Sequence, residues 1–424
     1  MYCQLNLLRK PTATYITMGK LSSLVPTNVD SEKQKFLQAL ACGKKYNPFF
    51  TYSNPSSTRK TRSKYDSMLS DEYLDRARYI LDSVINDYGS EEAYQTKNWG
   101  RQIGSNTAKK YVSEYVKMDD ALQNNLKIAW SQTAFCTSCC DSTVTFVERE
   151  DYYRDNRLKS LLDHEIGTHW TRTFNMNKIT GKRKKGSKRR TPFPRLGWLL
   201  STEEGLASLN TTMHYEDKRL FGASLLYLTC YLSSKMAFYD LWIELTQYLG
   251  NNADRLWYVC MRAKRGVEDT AEAKGFYKDQ STLSGALRLL ALRKSIDFID
   301  LHFSKCSVEE LALAKPFVDS LRNSGLGLLP LFLKTKHHYE NYVKQIEKIA
   351  IANNVGAIKN GDKNFRCRRI PYIHKPTSVG KAKCGIVDHE ISHMHSEERR
   401  EENALSHRYE SMSLSAINRL IQEE

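Results

Sequence analysis

Two histidines five residues apart, in Leu161-Leu162-Asp163-His164-Glu165-Ile166-Gly167-Thr168-His169, constrain this chain more than any other feature. The segment reads as a helix, because Leu158, Leu161, Leu162, Ile166 and Trp170 repeat at helical spacing as an apolar stripe. On a regular helix, residues five apart stand roughly 140° apart around the axis, too far to serve one centre. For both imidazoles to act together, the helix must take in an extra residue. A single-turn bulge near Gly167 is expected, since glycine tolerates unusual backbone geometry.

A second segment, Thr202-Glu203-Glu204-Gly205-Leu206-Ala207, gives the pair a chemical meaning. Two imidazoles, a carboxylate for a third ligand and a free glutamate are the parts of a zinc hydrolase. Blander readings exist. Paired histidines are often hydrogen-bonded core residues. Glu203 and Glu204 also suit a helix first turn, and Ser201-x-x-Glu204 suits a capping box. Glu165 between the histidines, and two acids framed by Leu199-Leu200 and Leu206-Ala207, tip the balance toward metal. Of the two acids, Glu204 is the better ligand candidate, because the Glu-Gly-aliphatic-Ala order is similar to the third-ligand segment of zinc aminopeptidases. Glu203 would then orient a histidine. Upstream, Thr143–Val147 alternates as a strand. An edge strand beside such a helix would let a peptide substrate pair with it.

These motifs, with Lys264-Arg265-Gly266-Val267-Glu268-Asp269-Thr270 and Gly275-Phe276-Tyr277-Lys278-Asp279, resemble the microtubule-associated tyrosine carboxypeptidase family over roughly residues 65–355. The resemblance implies one Zn²⁺ held by His164, His169 and Glu204, with Glu165 as the catalytic residue. It implies removal of the C-terminal tyrosine of α-tubulin in microtubules. The expected fold is α+β and mainly α-helical, a zincin-like metallopeptidase domain with a small sheet beside the ligand helix. That domain is expected over 65–355, after a partly irregular N-terminal extension (1–64) and before a polar C-terminal tail (356–424). Within it, Tyr73-Leu74, Ile80-Leu81 and Ile85 share a helical face, with Gly89 near a stop.

Charge narrows the partners. The 424 residues carry a net charge of +16, which favours an acidic partner: nucleic acid, an anionic membrane or an acidic polypeptide. No zinc-finger, RNA-recognition or helix-turn-helix signature accompanies the charge. The apolar stretch Leu220–Leu232 is too short to span a bilayer, and no charged-then-apolar leader opens the chain. The expectation is a cytoplasmic, cytoskeleton-associated protein that meets an acidic polypeptide rather than membrane or nucleic acid. Residues 178–195 hold nine Lys or Arg and no acid, between the two ligand segments. This run reads equally well as a rim that steers an acidic tail toward the site, as a solvated loop, or as a localisation signal around Lys182-Arg183-Lys184-Lys185. Ten cysteines without a framework suggest reduced thiols. Cys136-Thr137-Ser138-Cys139 has no second C-x-x-C to complete a zinc site and reads as buried thiols.

A stricter motif, His389-Glu390-Ile391-Ser392-His393, lies in the polar tail without an apolar stripe or a preceding strand, and reads as incidental. For the main site, zinc would polarise a scissile carbonyl and acidify water, and Glu165 would move the proton. Carboxypeptidase action also needs a cation for the terminal carboxylate, with Arg172, Arg262, Arg265 and Lys278 as candidates. Tyr231, Tyr258 and Tyr277 are candidates for stabilising the oxyanion. The alternative is a non-catalytic microtubule-binding or scaffold protein with a retained or structural metal site.

Overall fold

The computed structural model describes residues 21–132, 134, 136–150, 152–180 and 199–358. The chain begins with α1 (Val29–Ala41), α2 (Pro55–Ser63), α3 (Leu74–Tyr88) and α4 (Glu91–Trp99). Then come β1 (Gln102–Ile103), α5 (Ser105–Lys117) and α6 (Asp120–Asn125), followed by β2 (Lys127–Ser131), β3 (Ser138–Cys140), β4 (Thr143–Val147) and β5 (Tyr153–Arg154). The next helix, α7 (Asp155–Leu162), runs through a π-helical stretch (Asp163–Trp170) into α8 (Thr171–Thr180). After the segment 181–198 come α9 (Leu199–Thr212), α10 (Phe221–Ser233), α11 (Phe238–Leu249) and α12 (Ala253–Lys264). The last four are α13 (Gln280–Leu292), α14 (Phe298–Phe303), α15 (Leu311–Asn323) and α16 (Lys336–Ala352). The fold is α+β and mainly helical.

Two apolar clusters hold this arrangement. One gathers Leu158, Leu162, Ile166 and Trp170 from the motif helix with Leu206 and Leu209 of α9 and Leu283, Leu287 and Leu290 of α13. The other gathers Phe36, Phe50, Leu225, Phe238, Trp242 and Trp257. Helix α10 feeds both, Tyr227 and Ala223 into the first, Phe221 and Leu228 into the second. The stretch Leu220–Leu232 is therefore a buried core helix, and no helix among the described residues is long and apolar enough to cross a membrane.

Two expectations need correction and one is sharpened. Residues 21–64, expected within a partly irregular extension, carry two helices among non-helical runs. Helices α1 and α2 occupy much of that span, and Phe36 is buried against Phe238, Trp242 and Trp257, with ring centroids 5.2, 4.7 and 5.8 Å away. Truncating such an aromatic costs about 3–5 kcal/mol, so this segment belongs to the core rather than preceding it. Second, β4 is not an edge strand. The sheet order is β2-β4-β3, with β2 parallel and β3 antiparallel to β4, so β3 is the edge that meets the motif helix. Third, the Cys136–Cys140 thiols are not buried core. They are free, Cys136 and Cys139 are partly buried, and Cys140 is exposed. Elsewhere the reading from periodicity holds: Ile80 and Leu81 are fully buried, and Gly89, at φ 76°, closes α3. Residues 356–358 at the start of the polar tail are described; the rest of it, including His389-Glu390-Ile391-Ser392-His393, lies outside the described residues.

Candidate active site

The extra residue between the histidines is absorbed by π-helix over the whole of Asp163–Trp170. An i→i+5 ladder brings residues five apart onto one face, which a regular α-helix cannot do. Side chains secure the widened turns: Thr168 Oγ1 donates to Asp163 O at 2.8 Å and Thr171 Oγ1 to Ile166 O at 2.9 Å, both five residues back. Tyr115 Oη donates to the buried Asp163 carboxylate at 2.8 Å, and His214 Nε2 lies 2.5 Å from its other oxygen. Gly167 is required by contact, since a Cβ there would come 2.7 Å from the Phe332 ring. The result sets the His164 and His169 rings 4.9 Å apart, at 73°.

Helix α9 delivers the acid. It crosses α13 at Gly205 and Gly285, so closely that a Cβ on Gly205 would come 2.3 Å from Gly285 C, and one on Gly285 would come 1.7 Å from Ser201 O. Neither site tolerates alanine without moving the helix, so these glycines set the depth of Glu204. One ligand atom from each of His164, His169 and Glu204 lies within 4.8 Å of the others, close enough for one ion.

The distal nitrogens fix which imidazole nitrogen faces the centre. Thr211 Oγ1 donates its single proton to Ala207 O at 2.9 Å, so toward His164 Nδ1, 3.0 Å away, it accepts. Nδ1 therefore carries the proton and Nε2 is bare. His169 Nδ1 donates to Glu203 Oε1 at 2.9 Å, which likewise leaves Nε2 for the centre. Burial, followed by the neighbouring His169, pulls the His164 pKa down to about 3, so the ring is neutral. Burial pushes Glu204 upward, but Lys278 and His169 outweigh it and hold the carboxyl at about 2, ionised. Burial opposes a charge on the His169 ring, but Glu203 and the neighbouring acids outweigh it and raise its pKa, so a metal there displaces a proton from Nε2. Two imidazoles and one carboxylate are a donor set that suits Zn²⁺.

Glu165 lies beside these groups without joining the cluster of three. It is 6 % exposed, and burial lifts its carboxyl to about 7, against the pull of His169 and Lys278 and a hydrogen bond from the Cys139 backbone N–H on edge strand β3. A carboxyl poised near neutrality suits proton transfer.

The four proposed carboxylate-binding cations separate sharply. Arg172 is fully buried and donates to the Leu301, Ser304 and Cys306 carbonyls and to Glu203. It anchors the acid behind His169 and cannot reach a substrate, which corrects that assignment. Lys278 Nζ donates to Glu204 Oε1 at 2.6 Å and fixes the third ligand instead. Arg262 and Arg265 converge on one acid, Asp279: Arg262 Nε donates at 2.6 Å and Arg265 donates to both oxygens at 3.2–3.3 Å. Arg265 is stacked on Phe276 at 4.3 Å, and its buried Nε has no hydrogen-bond partner. Among the tyrosines, Tyr258 accepts from Arg262 at 3.1 Å and so borders this cluster. Tyr277 is turned to Gly275, whose N–H it accepts, and Tyr231 packs in the second core under Lys235.

Sequence reasoning missed Thr211, Asp279, Lys305 and the Cys139 amide. Thr211 could have been found, since it follows Glu204 by seven positions on the same helix face. Asp279 stands next to Lys278, at the end of Gly275-Phe276-Tyr277-Lys278-Asp279. Lys305, which donates to Glu203 at 2.9 Å from 102 residues away, has no sequence signal. Of the basic run 178–195, residues 178–180 end α8 and the rest lies outside the described residues.

No family profile matches the chain. Individual relatives do. It is 31% identical over 354 residues to "Microtubule-associated tyrosine carboxypeptidase 1" of Mus musculus, an alignment covering 80% of this chain and 70% of the relative. The Homo sapiens protein of that name is 30% identical over 355 residues, covering 80% and 69%. A second Mus musculus protein, "Putative tyrosine carboxypeptidase MATCAP2", is 31% identical over 346 residues, covering 78% of this chain and 62% of that relative. The chain thus spans less than two thirds of this last relative and somewhat more than two thirds of the others.

Proposed function

Because the chain belongs to the microtubule-associated tyrosine carboxypeptidase family, we propose that it is a zinc-dependent carboxypeptidase that removes a C-terminal tyrosine from an acidic protein tail, that of α-tubulin. The observation that carries this reading is the approach of His164, His169 and Glu204 to within 4.8 Å, with Glu165 buried alongside. His164 Nε2, His169 Nε2 and a Glu204 oxygen would hold the zinc, which when bound supplies a Lewis acid for the scissile carbonyl and lowers the pKa of water.

The chain's own groups do the rest. The Glu165 carboxylate takes a proton from the attacking water and passes it to the leaving amine. The Cys139 N–H keeps that carboxylate aimed. Arg262 and Arg265 hold the terminal carboxylate of the substrate, sharing Asp279 as the acid that keeps the two guanidinium groups together. Tyr258, beside Arg262, is the tyrosine best situated to donate to the developing oxyanion. The basic run 178–195 connects the end of α8 to the start of α9, the helix that carries Glu204, and it would draw in an acidic tail.

The decisive test is mass spectrometry of an acidic peptide ending in tyrosine, incubated with zinc-loaded chain and with Glu165→Gln. Loss of one tyrosine with the parent and none with the variant supports the proposal. A zinc-loaded parent that leaves the peptide intact, yet binds microtubules, would make the protein a non-catalytic scaffold.

A further inference from the structure

The start of the loop that carries Arg265 is gripped by a segment more than 200 residues earlier in the chain. Tyr52 Oη accepts the Gly266 N–H at 2.7 Å and donates to Val267 O at 3.2 Å. Gly266, at φ 82°, is in the left-handed region, so its amide points where an ordinary turn would not send it. Tyr52 is 6 % exposed, and burial above all raises its phenol well beyond the ordinary value, so the hydroxyl remains a donor.

The same grip extends along the loop. Phe50 N–H donates to Glu268 O at 2.8 Å. Pro48 O accepts from Thr270 Oγ1 at 2.6 Å and from its N–H at 3.4 Å. The strap is itself tied to α1: Asn28 bonds Phe49 O and Thr51 N–H, both at 2.9 Å, and the buried Glu32 accepts from Phe49 N–H and from Tyr46. Phe50 fills the space between Phe238 and Trp257, one residue from Tyr258 on the helix that carries Arg262. Residues 48–52 thus touch both supports of the arginine pair.

We infer that this strap positions the carboxylate-reading arginines, and that Tyr52 is a positioning residue for Arg265. The inference rests on the carboxypeptidase reading above. Arg265 immediately precedes Gly266, so the Tyr52 hydroxyl fixes the backbone from which the guanidinium is aimed at Asp279, with its Nε left buried and unpaired. Without the two hydrogen bonds, the turn is free to rotate while the metal centre, on other helices, stays as it is.

The test uses the full, zinc-loaded chain in the Glu165→Gln background, where an acidic peptide ending in tyrosine binds without being cleaved. The same peptide amidated at its C-terminus is the second ligand. Tyr52→Phe should weaken the free-carboxylate peptide by about fivefold to tenfold, the effect of one to two net hydrogen bonds, and leave the amide peptide unchanged. Thr270→Val, at the other end of the strap, should act in the same direction. Both variants should keep one zinc, and amide hydrogen exchange should quicken over 265–270. With Glu165 restored, KM should rise and kcat hold. Equal weakening of both peptides, or loss of zinc, would make the strap merely structural and overturn the inference. A Tyr52→Phe chain that discriminates as well as the parent overturns it alone. A parent that ignores the carboxylate overturns the carboxypeptidase reading and the inference with it.

Discussion

The two sides of the candidate site are built in opposite ways. The histidine side stands on helix: a π-helical stretch for His164, Glu165 and His169, and α9 for Glu204, locked to α13 at Gly205 and Gly285. The arginine side stands largely on the non-helical run 265–279, held from outside by residues 48–52, with Arg262 on the last turn of α12. On the first side each ligand is aimed by one partner from another element: His164 by Thr211 and His169 by Glu203, both on α9, and Glu204 by Lys278. On the second, five charges face one another, and Asp279 and Glu204 decide which cation is left for a substrate. Rigid placement suits a metal, whose bond lengths tolerate little error, whereas a charged anchor tolerates more.

If this contrast is right, the greatest loss comes from the helical side. Glu165→Gln should lower turnover by about 10²–10⁴-fold, the usual worth of a positioned general base, and leave zinc content at one per chain. His164→Ala should lose metal and turnover together, since two protein ligands are too few for a tight site. Metal analysis of the two purified variants makes the comparison. Equal zinc loss would show that Glu165 is a ligand and that the roles are wrongly divided.

Gly205→Ala tests the scaffold behind the ligand. Its new methyl would meet the α13 backbone at 2.3–2.7 Å, and such overpacking costs about 1–3 kcal/mol. Part of that strain should appear as displacement of Glu204, so zinc affinity should fall about tenfold or more, in the range of lost outer-shell support. Zinc affinity unchanged despite a lowered melting temperature would mean that the helix crossing supports the fold without setting the ligand.

Sequence told these two sides apart unequally. The histidine spacing, the intervening glutamate and the Glu-Gly pair were legible because each is a local pattern with a chemical requirement. Even the helix irregularity followed from spacing, although Asp163–Trp170 holds more π-helix than the single turn expected near Gly167. Strand β4 was legible through its alternation; β2 (Lys-Ile-Ala-Trp-Ser) alternates only through Ile128 and Trp130, and β3 (Ser-Cys-Cys) is too short to show a period, so the true edge was hidden. The cations were not legible at all. Arg172 and Arg262 look alike in sequence, and only burial shows that one is locked behind Glu203 while the other borders Tyr258. Pairing between distant residues leaves no local trace, which is also why the 21–64 segment read as irregular.

Arg262→Ala probes the arginine side directly. Losing charge-assisted hydrogen bonds of about 1.5–3 kcal/mol should lower kcat/KM roughly 10–100-fold, with most of the change in KM. Zinc content should not move, because neither His164, His169 nor Glu204 bonds Arg262. Arg172→Met should do the reverse, destabilising the fold and the His169 side, because it leaves Glu203 buried with one cation fewer. Substrate kinetics that rank Arg172 above Arg262, in folded and metal-loaded protein, would return Arg172 to the substrate.

The smallest effect belongs to the basic run 178–195, which extends the arginine side's logic from a bonded charge to a diffuse one. Exposed charges act over roughly 10 Å at about 0.1 M salt, so they raise encounter rates without fixing a geometry. Reversing Lys184, Lys185, Arg189 and Arg190 to glutamate should slow capture of an acidic peptide ending in tyrosine by about tenfold at low salt. A short neutral peptide ending in tyrosine should change far less. Raising salt should erase most of the difference in the parent, since screening removes what the reversal removes. An equal loss on both peptides would mean that the run supports α8, α9 or the metal ligands. No loss on either would leave it a solvated connection or a localisation signal. The contrast with Arg262→Ala is then quantitative: one charge proposed to meet the substrate carboxylate should outweigh four that only draw the tail in.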